Sequence, residues 1–188
     1  MLSHYIEISV RPDPEFTEPM LISALLSKLH RALAELKTDT VGISFPEHSM
    51  SPRSLGKSLR IHANAAALDN LTNTQWLRGM RDHVLCTEIQ PIPDKVEYRT
   101  VSRRQFKTNV ERLRRRRMKR KGESYEEAAA HIPATVERNP NLPFATLRSL
   151  SSGQTFNLFI EHGDLLPEPA SGSFSSYGLS NQATIPWF

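Results

Sequence analysis

The chain has 188 residues, a formal charge of +4 at pH 7 and a single cysteine, Cys86. Its length and 38% hydrophobic content allow one large or two small domains with a real core. One cysteine excludes an internal disulfide, and no apolar stretch reaches the length that spans a bilayer, so the expected setting is reducing and cytoplasmic, with no membrane partner.

From the amino terminus, His4 to Val10 alternates, with Ile6, Ile8 and Val10 on one face, as a half-buried strand does. Pro12 and Pro14 stop it. Thr17 offers a helix N-cap with Pro19 in the first turn, and Ile22, Leu25, Leu26, Leu29, Leu33 and Leu36 carry an amphipathic helix to about Lys37. Val41, Ile43 and Phe45 alternate again before a loop from Pro46 to Ser54. Leu59 and Ile61 suit a third strand, Ala65 to His83 a helix broken near Asn73, and Thr87 to Ile92 a fourth strand. This order, β-α-β-β-α-β, predicts an α+β fold whose N-terminal domain (residues 1–94) is ferredoxin-like and RRM-like, an arrangement many RNA-binding modules use.

The remainder, residues 95–188, reads as a smaller C-terminal part. Asp94 to Ser102 is an irregular lead-in, with Arg103 and Gln105 in a linker. A basic helix follows over about 107–121, ended by Gly122. Ser124 and Glu127 form a capping-box pattern for a short helix through Ile132. Short strands are expected at Ala145–Ser149, Thr155–His162 and Ser173–Ser180.

Charge is far from evenly spread. The window Arg99 to Lys121 holds 12 Lys or Arg and one acid, Glu111, for a net +11, so the other 165 residues sum to −7. On a helical wheel Arg112, Arg115, Arg116 and Lys119 share one face, with Arg120 at its edge, in a line about 10 Å long. Arg114, Arg117 and Lys121 lie largely opposite. Charged runs are usually solvated faces or localisation signals. Here the acidic i+4 partners that stabilise such faces are missing, and so many unneutralised cations repel one another unless a polyanion is present. A nucleic-acid interface follows. In the preceding linker, Arg103 has the fork for a guanine edge and Gln105 the amide for an adenine edge.

Candidates for chemistry are sparse. No Gly-rich phosphate loop, His/Cys ligand spacing or dense carboxylate cluster is present, so no metal site and no cofactor are expected. His30 lies about 80° from Ile22 on the first helix, at the margin of the apolar stripe. A histidine there is usually packing, but the edge leaves one ring nitrogen reachable, and imidazole suits proton transfer near neutral pH. The run from Ser149 to Gln154 reads as a polar turn, and Phe156 and Tyr177 as core or sheet residues. From the residues alone the chain is an RNA- or DNA-binding protein with an acid/base site.

Longer runs carry more. HYIEISVRPDPEF, KLHRAL around His30, GISFPE, LRIHA, WLRGMRDH, SRRQFKTNVERLRRRRMKR, LPFATLRSLSSGQTFNLFIEHG, and YGLS followed by the terminal PWF extend over essentially the whole chain. In these the sequence resembles the CRISPR-associated endoribonucleases that process precursor CRISPR RNA in type I-F systems. The resemblance implies an arginine-rich helix in the major groove of a repeat-RNA hairpin. Arg103 and Gln105 would read bases near the foot of the stem, and Arg115, Arg116, Lys119, Arg120 and Lys121, beside Arg112, would follow the phosphates. Phe156 would stack on the terminal base pair and Ser151 contact the backbone. It further implies metal-independent cleavage by 2′-hydroxyl attack, leaving 2′,3′-cyclic phosphate and 5′-hydroxyl ends. His30 would take the proton, Ser149 hold the ribose hydroxyl and Tyr177 orient the imidazole. Lys119 and Lys121 replace the family's Arg and His, which keeps the charge but loses the guanidinium fork. The implied partners are the repeat hairpin, the mature crRNA and other subunits of a type I-F surveillance complex that retains the product. A non-catalytic RNA-hairpin-binding subunit of a ribonucleoprotein is the alternative, and the joint presence of His30, Ser149 and Tyr177 argues against it. A DNA-binding regulator lacks a helix-turn-helix or dimerisation heptad.

Overall fold

Alternation of Ile6, Ile8 and Val10 with half-exposed neighbours produces strand β1 (His4–Val10), whose three apolar side chains are all buried. The computed structural model describes residues 2–106, 110–133, 141–149 and 152–188. Helix α1 (Glu18–Leu36) starts after Thr17 with a proline in its first turn and ends at Lys37, which takes the left-handed conformation. It buries Leu21, Ile22, Leu25, Leu26, Leu29, Ala32 and Leu33. That stripe contributes on the order of 10 kcal/mol of apolar burial before conformational entropy is subtracted.

The chain continues through β2 (Gly42–Ser44), a small hairpin of β3 (Ser49–Met50) and β4 (Arg53–Ser54), the buried strand β5 (Ser58–Ala63) and α2 (Ala65–Asn73), capped by the Asn64 side chain on the Ala67 amide. The helix stops at Asn73. A single 3₁₀ turn (Arg81–His83) leads into β6 (Val84–Cys86) and β7 (Gln90–Pro91), so of the strand expected over Thr87 to Ile92 only Gln90–Pro91 pairs, and the strand β6 precedes it. The first sheet has the order β2-β5-β1-β6, antiparallel throughout, with β7 also on β1; α1 and α2 pack on it.

The second sheet has the order β11-β8-β10-β9, built from β8 (Glu97–Arg104), β9 (Phe144–Arg148), β10 (Thr155–His162) and β11 (Thr184–Trp187). Between β8 and β9 lie α3 (Val110–Lys121) and α4 (Tyr125–His131). Three features depart from the sequence reading. Arg103 and Arg104 close strand β8 rather than sitting in a linker, because pairing with β10 on one side and β11 on the other orders a segment with little apolar signal. Strand β11 was not expected, since it contains Pro186; as an edge strand it tolerates the missing N–H. Residues 173–180 are not a strand. The Ser175 hydroxyl accepts from the Tyr177 and Leu179 amides, and Gly178 at φ +71° turns the chain.

The architecture is α+β, with antiparallel sheets and, among the described residues, four α-helices. Val101, Ala145, Leu147, Leu158, Ile160, Phe174 and Ile185 belong to the same hydrophobic cluster as the core of the first sheet. Two compact units result: residues 1–104 with 142–188, and residues 105–141. Among the described residues no helix is long and apolar enough to cross a membrane.

Histidine burial makes this fold acid-sensitive. Burial pushes His62, fully inaccessible and hydrogen-bonded to the Ser44 hydroxyl, down to about 3. His162, stacked on His48 at 3.6 Å, is also lowered to about 3, by burial and then by His48 and Arg99. Below the ordinary value of 6.5 the unfolded chain takes up protons that the folded chain refuses. Stability is therefore complete above about pH 6.5 and is lost progressively as pH falls toward 3, at up to about 1.4 kcal/mol per pH unit for each group. His162 is half-buried, so its share is the smaller. Urea unfolding at pH 7 and pH 5.5 is expected to show a loss of about 1–3 kcal/mol; an equal midpoint at both would contradict it.

Candidate active site and nucleic-acid interface

His30 projects from α1 nearly two turns before its end, half-buried. Its ring lies flat on Tyr177, with centroids 3.9 Å apart and planes 2° from parallel. Nδ1 is 3.1 Å from the Ser176 carbonyl oxygen. A carbonyl can only accept, so the neutral ring carries its proton on Nδ1 and presents an Nε2 lone pair. The turn that supplies both contacts is tied down: the Gly178 amide donates to Ser175, and the Ile43 amide of β2 donates to the Gly178 carbonyl. A Cβ on Gly178 would stand 2.7 Å from Ile43 Cγ2, in a left-handed conformation that already favours glycine.

Arg103 brings the nucleic-acid candidates to the same place. Its guanidinium lies 5.7 Å from the Phe156 ring centroid and 5.8 Å from that of Tyr177. On the antiparallel ladder Arg103 faces Ile160 and Phe156 faces Leu147, so Arg103 and Phe156 share one face of the sheet. Ser149 follows β9 in a turn whose amide donates to Gln154 and whose carbonyl accepts from Gly153. Its hydroxyl accepts from the Ser152 amide at 3.3 Å. Helix α1 lies along β9, where the Thr146 amide donates outward to the Ser23 hydroxyl at 3.1 Å. The helix thereby covers an otherwise open sheet edge and aligns its own stripe with the strand.

His30, Tyr177, Arg103 and Phe156 are thus gathered, with Ser149 at the end of the strand that α1 flanks. Ser151 lies outside the described residues, as do positions 107–109 at the expected helix start. Sequence reasoning overlooked the Ser176 carbonyl, since a backbone acceptor leaves no side-chain signal.

In the second unit, α3 has two chemically different sides. Arg114 donates to the Ile132 carbonyl and the Tyr125 hydroxyl and pairs with Glu111, while Arg117 pairs twice with Glu123, at 2.6 and 3.0 Å. The Arg117 hydrogen bond, opposed by desolvation, holds the Glu123 carboxyl below its ordinary range. These contacts join α3 to α4, whose capping box of Ser124 and Glu127 forms as expected. Arg112, Arg115, Arg116, Lys119, Arg120 and Lys121 are exposed. Among the described residues Arg115, Arg116, Lys119 and Arg120 have no ion-pair partner within 4 Å. Gln105 is exposed in the same unit.

Comparison with known proteins adds to this geometry. The family model described as CRISPR-associated protein (Cas_Csy4) matches residues 5–188. Two proteins named CRISPR-associated endonuclease Cas6/Csy4 are similar over their whole length and the whole of this chain. One, from Pseudomonas aeruginosa (strain UCBPP-PA14), is 49% identical over 187 residues; the other, from Escherichia coli (strain UTI89 / UPEC), is 46% identical over 187. A solved chain described as an RAMP protein binding different RNA substrates covers 98% of this chain at 13% identity and a TM-score of 0.36, too distant for any argument. By the family match and by relatives that align end to end, the chain belongs to the Cas_Csy4 family of CRISPR-associated proteins.

Proposed function

We propose that this protein is a metal-independent endoribonuclease that binds a CRISPR repeat hairpin through its major groove and cuts precursor crRNA at the base of the stem. In this reading residues 1–94 are a ferredoxin-like domain carrying the catalytic histidine, and residues 95–188 recognise RNA. His30 Nε2 accepts the proton of the ribose 2′-hydroxyl, the 2′-oxygen attacks the adjacent phosphorus, and the 5′-oxygen leaves, taking up a proton from water to become a hydroxyl. The ends are a 2′,3′-cyclic phosphate and a 5′-hydroxyl. Ser149 holds the attacking hydroxyl and Tyr177 holds the imidazole plane. Phe156 stacks on the terminal base pair, Arg103 and Gln105 read bases at the stem foot, and Ser151 meets the backbone. Arg112, Arg115, Arg116, Lys119, Arg120 and Lys121 line the phosphates. The product stays bound, joined by other subunits of a surveillance complex.

One observation carries the reading: a histidine with its Nδ1 proton committed to a carbonyl, clamped flat on a tyrosine beside an arginine and a stacking platform. In-line attack by a neighbouring hydroxyl depends chiefly on alignment and a proton acceptor. The relatives' names as CRISPR-associated endonucleases support the substrate class. The test is incubation with repeat RNA in EDTA, beside the same RNA with a 2′-deoxy nucleotide at the junction. Cleavage of the first alone is expected. No cleavage of ribo-RNA, or cleavage of both, would overturn the reading.

The turn holding His30 supplies a second check. In Gly178→Ala, relief of the contact with Ile43 moves Ser176 and Tyr177, and a shift of about 1 Å costs about 100-fold in rate. Single-turnover cleavage is expected to fall by about that factor, with hairpin affinity by anisotropy within about twofold. An unchanged rate would mean the turn does not position the histidine.

A further inference from the structure

Ser23 lies in the interior of α1, half-buried, at a position where alanine would serve the helix better. A serine hydroxyl inside a helix ordinarily turns back to its own backbone or out to solvent. Here it accepts from the Thr146 amide of β9, 3.1 Å away. Strand β9 closes one side of the second sheet, with β10 as its neighbour, so this amide points away from the ladder. The bond is exposed, and water would satisfy the amide if the hydroxyl were gone. Its loss therefore takes little from stability. What it removes is a fixed registration between helix and strand.

That registration reaches the catalytic candidates. From Ser23, α1 rises seven residues to His30, about 10 Å and nearly two full turns, so both lie on one stripe. From Thr146 the chain runs three residues to Ser149, also about 10 Å at the rise of a strand. Both paths lead toward the same group. His30 stacks on Tyr177, Arg103 lies against Tyr177 and Phe156, and Phe156 faces Leu147 of β9. The turn holding Ser149 travels with the strand, because Arg148 Nε donates to the Gly153 carbonyl at 3.1 Å and the Gly153 amide donates to the Ser149 carbonyl at 2.8 Å. His30 travels with α1, whose seven buried side chains fix it to the core.

The geometry points to Ser23 as a positioning residue that sets where Ser149 stands relative to His30. The inference rests on the endoribonuclease reading, in which Ser149 holds the 2′-hydroxyl and His30 Nε2 takes its proton. In this role Ser23 touches no reacting atom; it acts through Ser149. In-line attack tolerates little error, a displacement of about 1 Å costing about 100-fold. A water-mediated contact in place of the direct bond gives the strand a fraction of that slack, so the rate falls by about tenfold. Hairpin binding depends on α3 and on the face that carries Arg103 and Phe156, and it is unchanged.

The experiment measures single-turnover cleavage and hairpin anisotropy for the full-length protein as wild type, Ser23→Ala, Ser23→Thr, Ser149→Ala and the double variant Ser23→Ala with Ser149→Ala, each also followed by thermal unfolding. Ser23→Ala is expected to cleave about tenfold more slowly with affinity within about twofold. Ser23→Thr keeps the hydroxyl and is expected to recover to within about threefold of wild type. In the Ser149→Ala background, Ser23→Ala is expected to slow cleavage by less than about twofold, since a residue acting through Ser149 has nothing left to position. A merely structural serine would slow both backgrounds alike or abolish the unfolding transition, and either result would overturn the inference. So would a wild-type rate in Ser23→Ala beside a slow Ser149→Ala, which leaves the endoribonuclease reading standing. Wild-type cleavage by Ser149→Ala would remove that serine's role and the inference together.

Discussion

His30→Ala is expected to abolish cleavage of repeat RNA while leaving hairpin affinity within about twofold, because a general base contributes about 10²–10⁴-fold to rate but little to groove binding. The ring also stacks on Tyr177, a contact of about 0.5–1.5 kcal/mol, so thermal unfolding should accompany the kinetics to separate lost chemistry from lost fold. Tyr177→Phe sharpens the assignment. The contact is face to face, and among the described residues the Tyr177 hydroxyl makes no hydrogen bond. Phenylalanine therefore preserves the clamp and is expected to cleave within about threefold of wild type, whereas Tyr177→Ala is expected to lose about 100-fold. Matched loss of binding and cleavage in His30→Ala would remove its catalytic role.

Replacing Arg115 and Arg116 together with alanine has the largest expected effect on affinity. Both are exposed and, among the described residues, free of internal ion pairs, so their charge is available to RNA phosphates. Charge-assisted contacts of about 1.5–3 kcal/mol each imply a loss of about 100-fold or more at low salt. The slope of log K against log salt should flatten by about 1–2. Arg117→Ala is the contrasting variant. Its guanidinium already pairs with Glu123, so the expected effect is loss of order between α3 and α4, seen as lower helicity. An unchanged salt slope in the double variant would exclude phosphate contacts there.

Much of the fold was legible because strong local signals coincided with burial. The leucine stripe of α1, the alternation of β1 and the whole of β10 fell where periodicity placed them, and the capping box at Ser124 formed as its spacing requires. Strand β8 was not legible. Glu97 to Arg104 is polar and charged, with only Val101 and Ser102 buried, and it is a strand because β10 and β11 pair with it on both sides. Residues 173–180 failed for the opposite reason: a Ser/Phe/Tyr-rich run looks extended until hydroxyl-to-amide bonds and Gly178 close it into a turn.

By itself, the order of residues determined the charge density of α3, the amphipathic frame carrying His30 and the family resemblance, since these depend on composition and spacing along one element. Only the tertiary structure decided which nitrogen of His30 bears the proton and which arginines of α3 are committed to the protein. It also decided that Arg103 meets Phe156 and Tyr177. Each of those outcomes depends on groups from separate elements, up to 146 residues apart in the chain, and no local pattern encodes a distance that packing alone creates.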